Sequence, residues 1–585
     1  MKKGIFVLII YSILLITTTF PLLLNFTTHI PGFFSSDESF AVLWNAWLTK
    51  FSLINKLSIN STDFIAYPFG TKLYSFFGFV YAAIGFLLSV LTTPVLVYNL
   101  QVIINIVLTA MITYLLVKYL INDILCAFFS GLIFGFCPYI FVRSWQHIGA
   151  VYLWPIPLFM WFIMRLRQEK TFKIKFLFIT CFILSTVNFD VTYYLLVACA
   201  ALIIYLLFDL KSNFGYIRRI FFLTMIAFAI LLFQFLPVIY NVIFNRNTIP
   251  LAQNIFHRPF EDLFTQSARP LSYFLPSVAH PLFGKFTEQF VGTNLYGRSF
   301  TEHTLYLGWI PLILAFIALR RWRKAPADER FYIGFLGLLA LVAWFFSQPP
   351  WWSIFGLKIY MPSFFMYKVL PMVRAYCRFG VVVMFAVSVL AGFGLKFILE
   401  KSKSNKAKIA ITTLACVLVL FEFWSWPPFK VIDVSEFPSV YTWLKNKPGD
   451  FVIAEYPLDV NGINEMFKFY QTRHEHKIIN ATIPGTYANK VAGTMARLSD
   501  PRTAGVLKWM SAQYVLVHKA GYLKTGLTED VEELNKIPGN PGLNLIKSFP
   551  AEQCRDKNIR CVKEAGPIDV YEVTAVAIKP QLMEK

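Results

Sequence analysis

The chain has 585 residues, 57% of them hydrophobic, 18% aromatic and only 15% charged, with a mean hydropathy of +0.56. Soluble globular chains carry roughly 25% charged residues, so a soluble fold is excluded and a membrane protein is indicated. The formal charge of +21 would suit a nucleic-acid partner, yet residues 427–585 hold 20 Lys/Arg against 18 Asp/Glu. The basic excess lies in short loops between apolar runs, as cytoplasmic retention of positive loops requires, so nucleic acid is set aside as a partner.

Taken in chain order, apolar runs long enough to cross a bilayer fall near 5–24, 95–117, 124–142, 148–165, 174–189, 192–209, 219–240, 303–319, 331–347, 379–399 and 409–426; a crossing needs about 20 such residues. The run at 76–92 is decided by charge. Arg165–Lys175 and Arg320–Arg330 each hold five basic residues, and Lys401–Lys408 holds four. All three loops fall on the cytoplasmic side only if 76–92 does not cross. The expectation is therefore a polytopic α-helical membrane protein of about eleven transmembrane helices. Its N-terminus is cytoplasmic, and large outer loops lie at 25–94 and 244–302. The first span lacks a small-residue cleavage site after Phe20-Pro21 and is read as a retained anchor. Residues 1–426 form the membrane module and 427–585 an extracytoplasmic α/β domain. Short β-type runs at Phe451–Pro457, Tyr514–His518 and Ile568–Val573 support that reading. Cys554 and Cys561 flank a polar loop in the tail, and a disulfide is expected there if the tail is extracytoplasmic.

In the first loop, Ser35-Ser36-Asp37-Glu38 precedes a segment in which Phe40, Leu43, Trp44, Trp47, Leu48 and Phe51 share one helical face. Two Trp on that face suggest a helix lying along the membrane surface. The acids have two readings. Ser35 and Glu38 match a capping box, and acids suit a first helical turn. A carboxylate pair at the mouth of a multi-span protein equally suits work on a substrate arriving from the membrane. Downstream, Asp63 is either a second site carboxylate or a solvated loop residue, and Tyr67-Pro68-Phe69-Gly70 is a turn.

An acidic pair soon after the first span, then a surface helix, a turn and a second non-crossing segment, resembles the GT-C superfamily of membrane glycosyltransferases. Asp37-Glu38 is similar to the Asp-Glu pair of its protein O-mannosyltransferase and lipid A aminoarabinose transferase branch. Tyr67-Pro68-Phe69-Gly70 stands where that branch carries a His-Pro-Pro type turn. The resemblance implies a polyprenyl-phosphate-linked sugar donor, a lipid, glycan or protein acceptor hydroxyl, Asp37 as the base that deprotonates or orients it, and Glu38 in support.

Further candidates for holding a donor phosphate are Arg143 and His147 beside Gln146, and Arg374 and Arg378 before the run at 379–399. Guanidinium geometry suits phosphate. Both groups also have a plainer reading as interfacial residues that contact membrane lipids. His257 and Arg258 lie in the second large loop, whose polar density suits a substrate vestibule and equally a solvated loop. Asn188, Asp190 and Tyr193 read as a turn, and Glu302 and His303 as part of a generally polar loop. No metal-ligand motif or Gly-rich phosphate loop occurs. Acids beside a phosphate attract Mg²⁺ or Mn²⁺, so a divalent cofactor fits without being required. The competing classes are a non-enzymatic assembly or scaffold protein and a transporter of lipid-linked glycans. Against the transporter stands the location of the acids, nearly all in loops rather than mid-membrane.

Overall fold

The computed structural model describes residues 2–32, 37–73, 79–168, 189–208, 213–226, 258–371, 373–425, 429–458, 463–483, 486–523 and 528–580, with single positions at 179, 229 and 236. The expected spans 174–189 and 219–240 lie largely outside them, as do Asn188 and His257.

Among the described residues, six helical segments are long and apolar enough to cross a membrane: 94–121, 124–144, 148–168, 190–207, 327–347 and 376–399. They coincide with six of the expected crossings and make the chain a multi-pass membrane protein. Three other expected crossings take different forms. The N-terminal helix, Lys2–Thr18, has 17 residues. The helix Asn405–Glu422 carries Lys406, Lys408 and Glu422 near its ends. The run at 303–319 is helical only from Trp309, because the chain is non-helical over 304–308 and Gly308 takes a φ of +83°. The helix Phe79–Leu91 has 13 residues. It begins at the edge of the described residues, since 74–78 lie outside them.

The helix Gly380–Leu399 is the centre of the bundle, buried along nearly its whole length. Small residues let neighbours approach it. A Cβ on Gly394 would stand 1.9 Å from the Leu314 carbonyl oxygen, and one on Gly392 2.3 Å from Ser130 Oγ. Close backbone contact of this kind is how helices associate where the solvent is as apolar as their side chains.

The tail and first loop are knitted together. Strand β1 (His29–Pro31) pairs antiparallel with β6 (Val431–Asp433), and β11 (Arg560–Cys561) pairs parallel on its other side. Within the first loop, β2 (Ser61–Thr62) and β3 (Thr71–Lys72) form a small ribbon, and β4 (Trp351–Ile354) and β5 (Leu357–Tyr360) form a hairpin between two bundle helices. The tail's main sheet has the order β10–β12–β9–β7–β8, from β7 (Val452–Tyr456), β8 (Lys477–Ile478), β9 (Ala512–His518), β10 (Leu543–Phe549) and β12 (Ile568–Val573). The first loop extends it past β8: Ile478 N–H donates to the Phe64 carbonyl at 2.9 Å and Ala66 N–H to the Asn480 carbonyl at 2.8 Å. The tail is thus an α/β unit, and Cys554 and Cys561 are disulfide-bonded with Cα atoms 5.6 Å apart.

The helix Asp37–Ile54 forms as its periodicity requires, but its apolar face is not turned to lipid. Phe40, Leu43, Trp44 and Leu48 are buried in protein. Trp44 Nε1 donates to Gln471 Oε1 at 2.8 Å, and Phe40 packs on Phe469 with ring centroids 5.2 Å apart. The apolar stripe that suggested a membrane surface is covered by the tail helix Ile463–His474 instead. Area burial drives both outcomes equally, so the stripe alone cannot distinguish them.

Candidate functional site

Seven charged or ionisable side chains from five separate stretches of sequence meet at the end of the bundle nearest the tail. Glu302 is the hub. Its carboxylate accepts from Arg143 Nη1 at 2.8 Å and again from Arg143 Nη2, from Arg378 Nη2 at 2.9 Å and Nε at 3.2 Å, and from the Cys377 thiol at 3.5 Å. Arg378 Nη1 also donates to Asp190 Oδ2 at 2.7 Å. His147 extends the chain of contacts outward, with Nε2 3.8 Å from Glu302 Oε1 and Nδ1 2.5 Å from Glu38 Oε2.

Local sequence explains how each group is presented. Pro138 opens the short helix Pro138–Ser144, and Arg143 falls in its last turn, where the helix dipole favours a cation. The chain then breaks, with His147 N–H donating to the Arg143 carbonyl at 2.7 Å. Asp190 stands in the first turn of Phe189–Leu207, where an acid is favoured. Ser299 caps the short helix Phe300–His303 by accepting from Glu302 N–H at 3.4 Å. This leaves the Glu302 carboxylate free to turn toward the arginines.

The cluster is graded from sealed to open. Side-chain exposure runs from 0% at Arg143 through 9% at Glu302 and 18% at His147 to 61% at Glu38. Burial alone would raise the Glu302 carboxyl, but Arg143 and then Arg378 overcome it and hold the group well below the usual carboxylate range. A buried guanidinium without its carboxylate is strongly disfavoured, so Arg143 and Glu302 require each other.

A second basic feature lies nearby in sequence. Arg374 Nη1 is 3.9 Å from Asp262 Oδ2, and Arg258 N–H donates to the Pro371 carbonyl at 3.0 Å. Burial and then the like charge of Arg374 lower the Arg258 guanidinium from its ordinary value. Two guanidiniums that repel one another, served by one carboxylate at long range, form a region of surplus positive charge.

Of the sequence-derived candidates, Glu38, His147, Arg143 and Arg378 are brought into one network. Arg258 and Arg374 form the second group. Asp63 is elsewhere, with its carboxylate 2.5 Å from Lys477 Nζ, where it fastens the first loop to the tail. Asp37 begins the helix beside Glu38, while its side chain and His257 lie outside the described residues. Arg374 and Arg378, four residues apart, do not share a helical face. The helical turn starts only at Tyr376, so a spacing of four does not stack them, and they take different partners. Glu302 and Asp190 were missed as site residues. The usable signal was Ser299-x-x-Glu302, the same pattern as Ser35-x-x-Glu38.

Among the described residues, no group of three or more His, Cys, Asp or Glu side chains is spaced to hold a metal ion. Arg143, Arg378 and His147 already match the cluster's carboxylates. A cleft of about 490 Å³ lined by Ser58, Ser61, Thr62, Asp63 and Lys72 lies in the first loop. It contains none of the network residues, and the converging charges, rather than this open cleft, define the candidate site.

No family model and no curated protein matches the chain. Its fold does match solved structures. Arabinofuranosyltransferase AftD from Mycobacteria superimposes with a TM-score of 0.51 at 14% identity, over 97% of this chain and 42% of that one. ArnT from Cupriavidus metallidurans bound to undecaprenyl phosphate gives a TM-score of 0.49 at 12% identity, over 98% and 99% of the two chains. The Archaeoglobus fulgidus oligosaccharyltransferase tethered to an acceptor peptide gives 0.46 at 14%, over 88% and 68%. The chain therefore shares its overall fold with the AftD structure. It spans less than half the length of the AftD chain.

Proposed function

We propose that the protein is an integral membrane glycosyltransferase that moves a sugar from a polyprenyl-phosphate donor to an acceptor hydroxyl on the extracytoplasmic face. A fold is shared by many functions, so the site has to support the reading. The observation that carries it is the Glu38–His147 contact, which holds Glu38 against the arginine–carboxylate network at the end of the helices. In the proposed reaction the acceptor oxygen bonds to the anomeric carbon. The bond from that carbon to the phosphate oxygen breaks, and lipid phosphate leaves. Asp37 takes the acceptor proton and Glu38, oriented by His147, supports it. Arg143 and Arg378 have their charge matched by carboxylates, which suits a frame for the site rather than a phosphate clamp. The surplus cations Arg258 and Arg374 are better suited to meet the donor phosphate. The orientation rests on the basic loops and on the tail disulfide, which belongs to an oxidising compartment. A divalent cation stays in the proposal as a variable of the assay, with no step routed through it.

The test is purified protein with a panel of polyprenyl-phospho-sugars, with and without Mg²⁺ or Mn²⁺, reading lipid phosphate released. Asp37→Asn is expected to lower turnover by about 10²–10⁴, the usual worth of general-base assistance. The change should cost well under ~1 kcal/mol of stability at a first helical turn. Full turnover by that variant would remove Asp37 from the mechanism.

A further inference from the structure

The hairpin β4–β5 joins two helices that are each long and apolar enough to cross the membrane, 327–347 and 376–399. Both roots of the connection therefore lie at a membrane boundary. Its register pairs Trp351 with Tyr360, Trp352 with Ile359, Ser353 with Lys358 and Ile354 with Leu357. Side chains alternate across a ribbon, so Trp352, Ile354, Leu357 and Ile359 share one face and Ser353 and Lys358 the other. Phe355 and Gly356 make the turn with φ of +49° and +81°, the pattern of a two-residue hairpin.

The apolar face is bare. Phe355 at the tip is fully exposed, Leu357 is 73% exposed, and Ile354 and Ile359 are exposed too. The helix that follows, Pro362–Val369, adds exposed Phe365 and Val369. Together with Phe346 from the end of the bundle helix, these two residues line an apolar groove of about 470 Å³. The bare face continues a surface that already belongs to the membrane, because Trp352 packs edge-on against Trp344 of the helix Ala327–Ser347 at 5.7 Å. Charge favours the same neighbour. No acidic residue occurs between Glu329 and Glu400, while Lys358 and Lys368 rise from this segment. Each lysine lies over an aromatic ring, at 4.7 Å from Trp351 and 4.5 Å from Phe364.

We infer that the hairpin tip and the helix Pro362–Val369 are immersed in the interfacial layer of the bilayer. Phe355, Leu357 and Phe365 enter the acyl region, and Lys358 and Lys368 meet phospholipid phosphates. Aromatic and aliphatic side chains beneath a rim of lysine are the composition that the interface selects.

The test is site-specific labelling of the full-length protein in nanodiscs of phosphatidylcholine and phosphatidylglycerol. Phe355→Cys and Leu357→Cys carry a bimane probe, with Ser353→Cys as the opposite-face reference. Protein without the added cysteine is labelled in parallel. Phospholipid brominated on its acyl chains is expected to quench positions 355 and 357 at least twofold more than position 353, and aqueous iodide should show the reverse order. Iodide quenching of 355 and 357 equal to or above that of 353, without acyl-bromide quenching, would overturn the inference. Bromide quenching lost on adding excess polyprenyl phosphate would also overturn it, because the face would then be a site for that lipid.

Discussion

Among the described residues, Glu302 and Glu455 are both buried carboxylate hubs, and the contrast between them separates a candidate site from a structural network. In the tail, Glu455 Oε2 accepts from Tyr441 Oη at 2.7 Å and lies 2.6 Å from His518 Nε2. Glu455 and Tyr441 have no exposure at all and His518 only 5%. At the end of the bundle, Glu302 is equally surrounded, but its network steps outward through His147 to the exposed Glu38. Both hubs satisfy a buried acid. Only the second reaches the exposed surface, through Glu38.

The largest expected effect is at Glu302. Glu302→Gln leaves Arg143 and Arg378 without their shared counter-charge, and breaking a buried ion pair from one side costs about 3–5 kcal/mol. Thermal unfolding in detergent should fall accordingly, with turnover lost. A Glu302→Gln protein as stable as the parent would show that the network is not the frame of the site. The equivalent change in the tail is milder. Glu455→Gln keeps hydrogen-bonding capacity toward Tyr441 and His518, so about 1–3 kcal/mol is expected. Turnover measured below the unfolding transition should be unchanged. Loss of turnover in folded Glu455→Gln protein would abolish the distinction between the two hubs.

Acidification should separate the two regions next. Burial, and then the neighbouring His476, hold the His474 imidazole well below its ordinary value near 6.5. A neutral buried histidine contributes stability that is complete above pH ~6.5 and is lost as pH falls from there toward the folded-state value, by up to about 1.4 kcal/mol per pH unit. Glu302 behaves differently. Its lowered carboxyl contributes fully above about pH 4.5 and loses that contribution only as pH falls toward the still lower folded-state value. Between pH 7 and 5 the protection factors of tail amides should fall further than those around residues 300–303, where burial lowers His303 by less than it lowers His474. Uniform loss of protection would mean that the two regions unfold together.

Much of this arrangement was legible in the sequence, and what was not has a common cause. The runs at 451–457, 514–518 and 568–573 announced strands, observed at 452–456, 512–518 and 568–573, because β-branched and aromatic residues cluster there between turns. The apolar face of Asp37–Ile54 was equally readable. What covers that face was not, since Gln471 and Phe469 come from more than 400 residues later. Glu302 was hidden for the same reason. Its local pattern is that of any capped helix, and the arginines that give it meaning lie 159 residues before and 76 residues after it. Composition reports what a segment can bury or hold. Which segment arrives to complete it is decided by long-range pairing.

The smallest effect is expected at Asp63, and it sharpens the comparison by testing a charge pair that belongs to neither hub. Asp63 and Lys477 meet at the surface with side chains 51% and 36% exposed. Water screens such a pair and side-chain entropy opposes it, so Asp63→Asn should cost only ~0.2–1 kcal/mol, and less at high salt. The backbone contacts beside it are of a different kind. Phe64, Ala66 and Tyr67 exchange hydrogen bonds with Ile478 and Asn480 whichever side chain stands at 63. The first loop should therefore stay docked in Asp63→Asn, and turnover should be within twofold of the parent. A rate loss of the size expected for Asp37→Asn, with stability intact, would restore Asp63 as a site carboxylate. It would mean that the open cleft it lines, rather than the arginine network, faces the substrate.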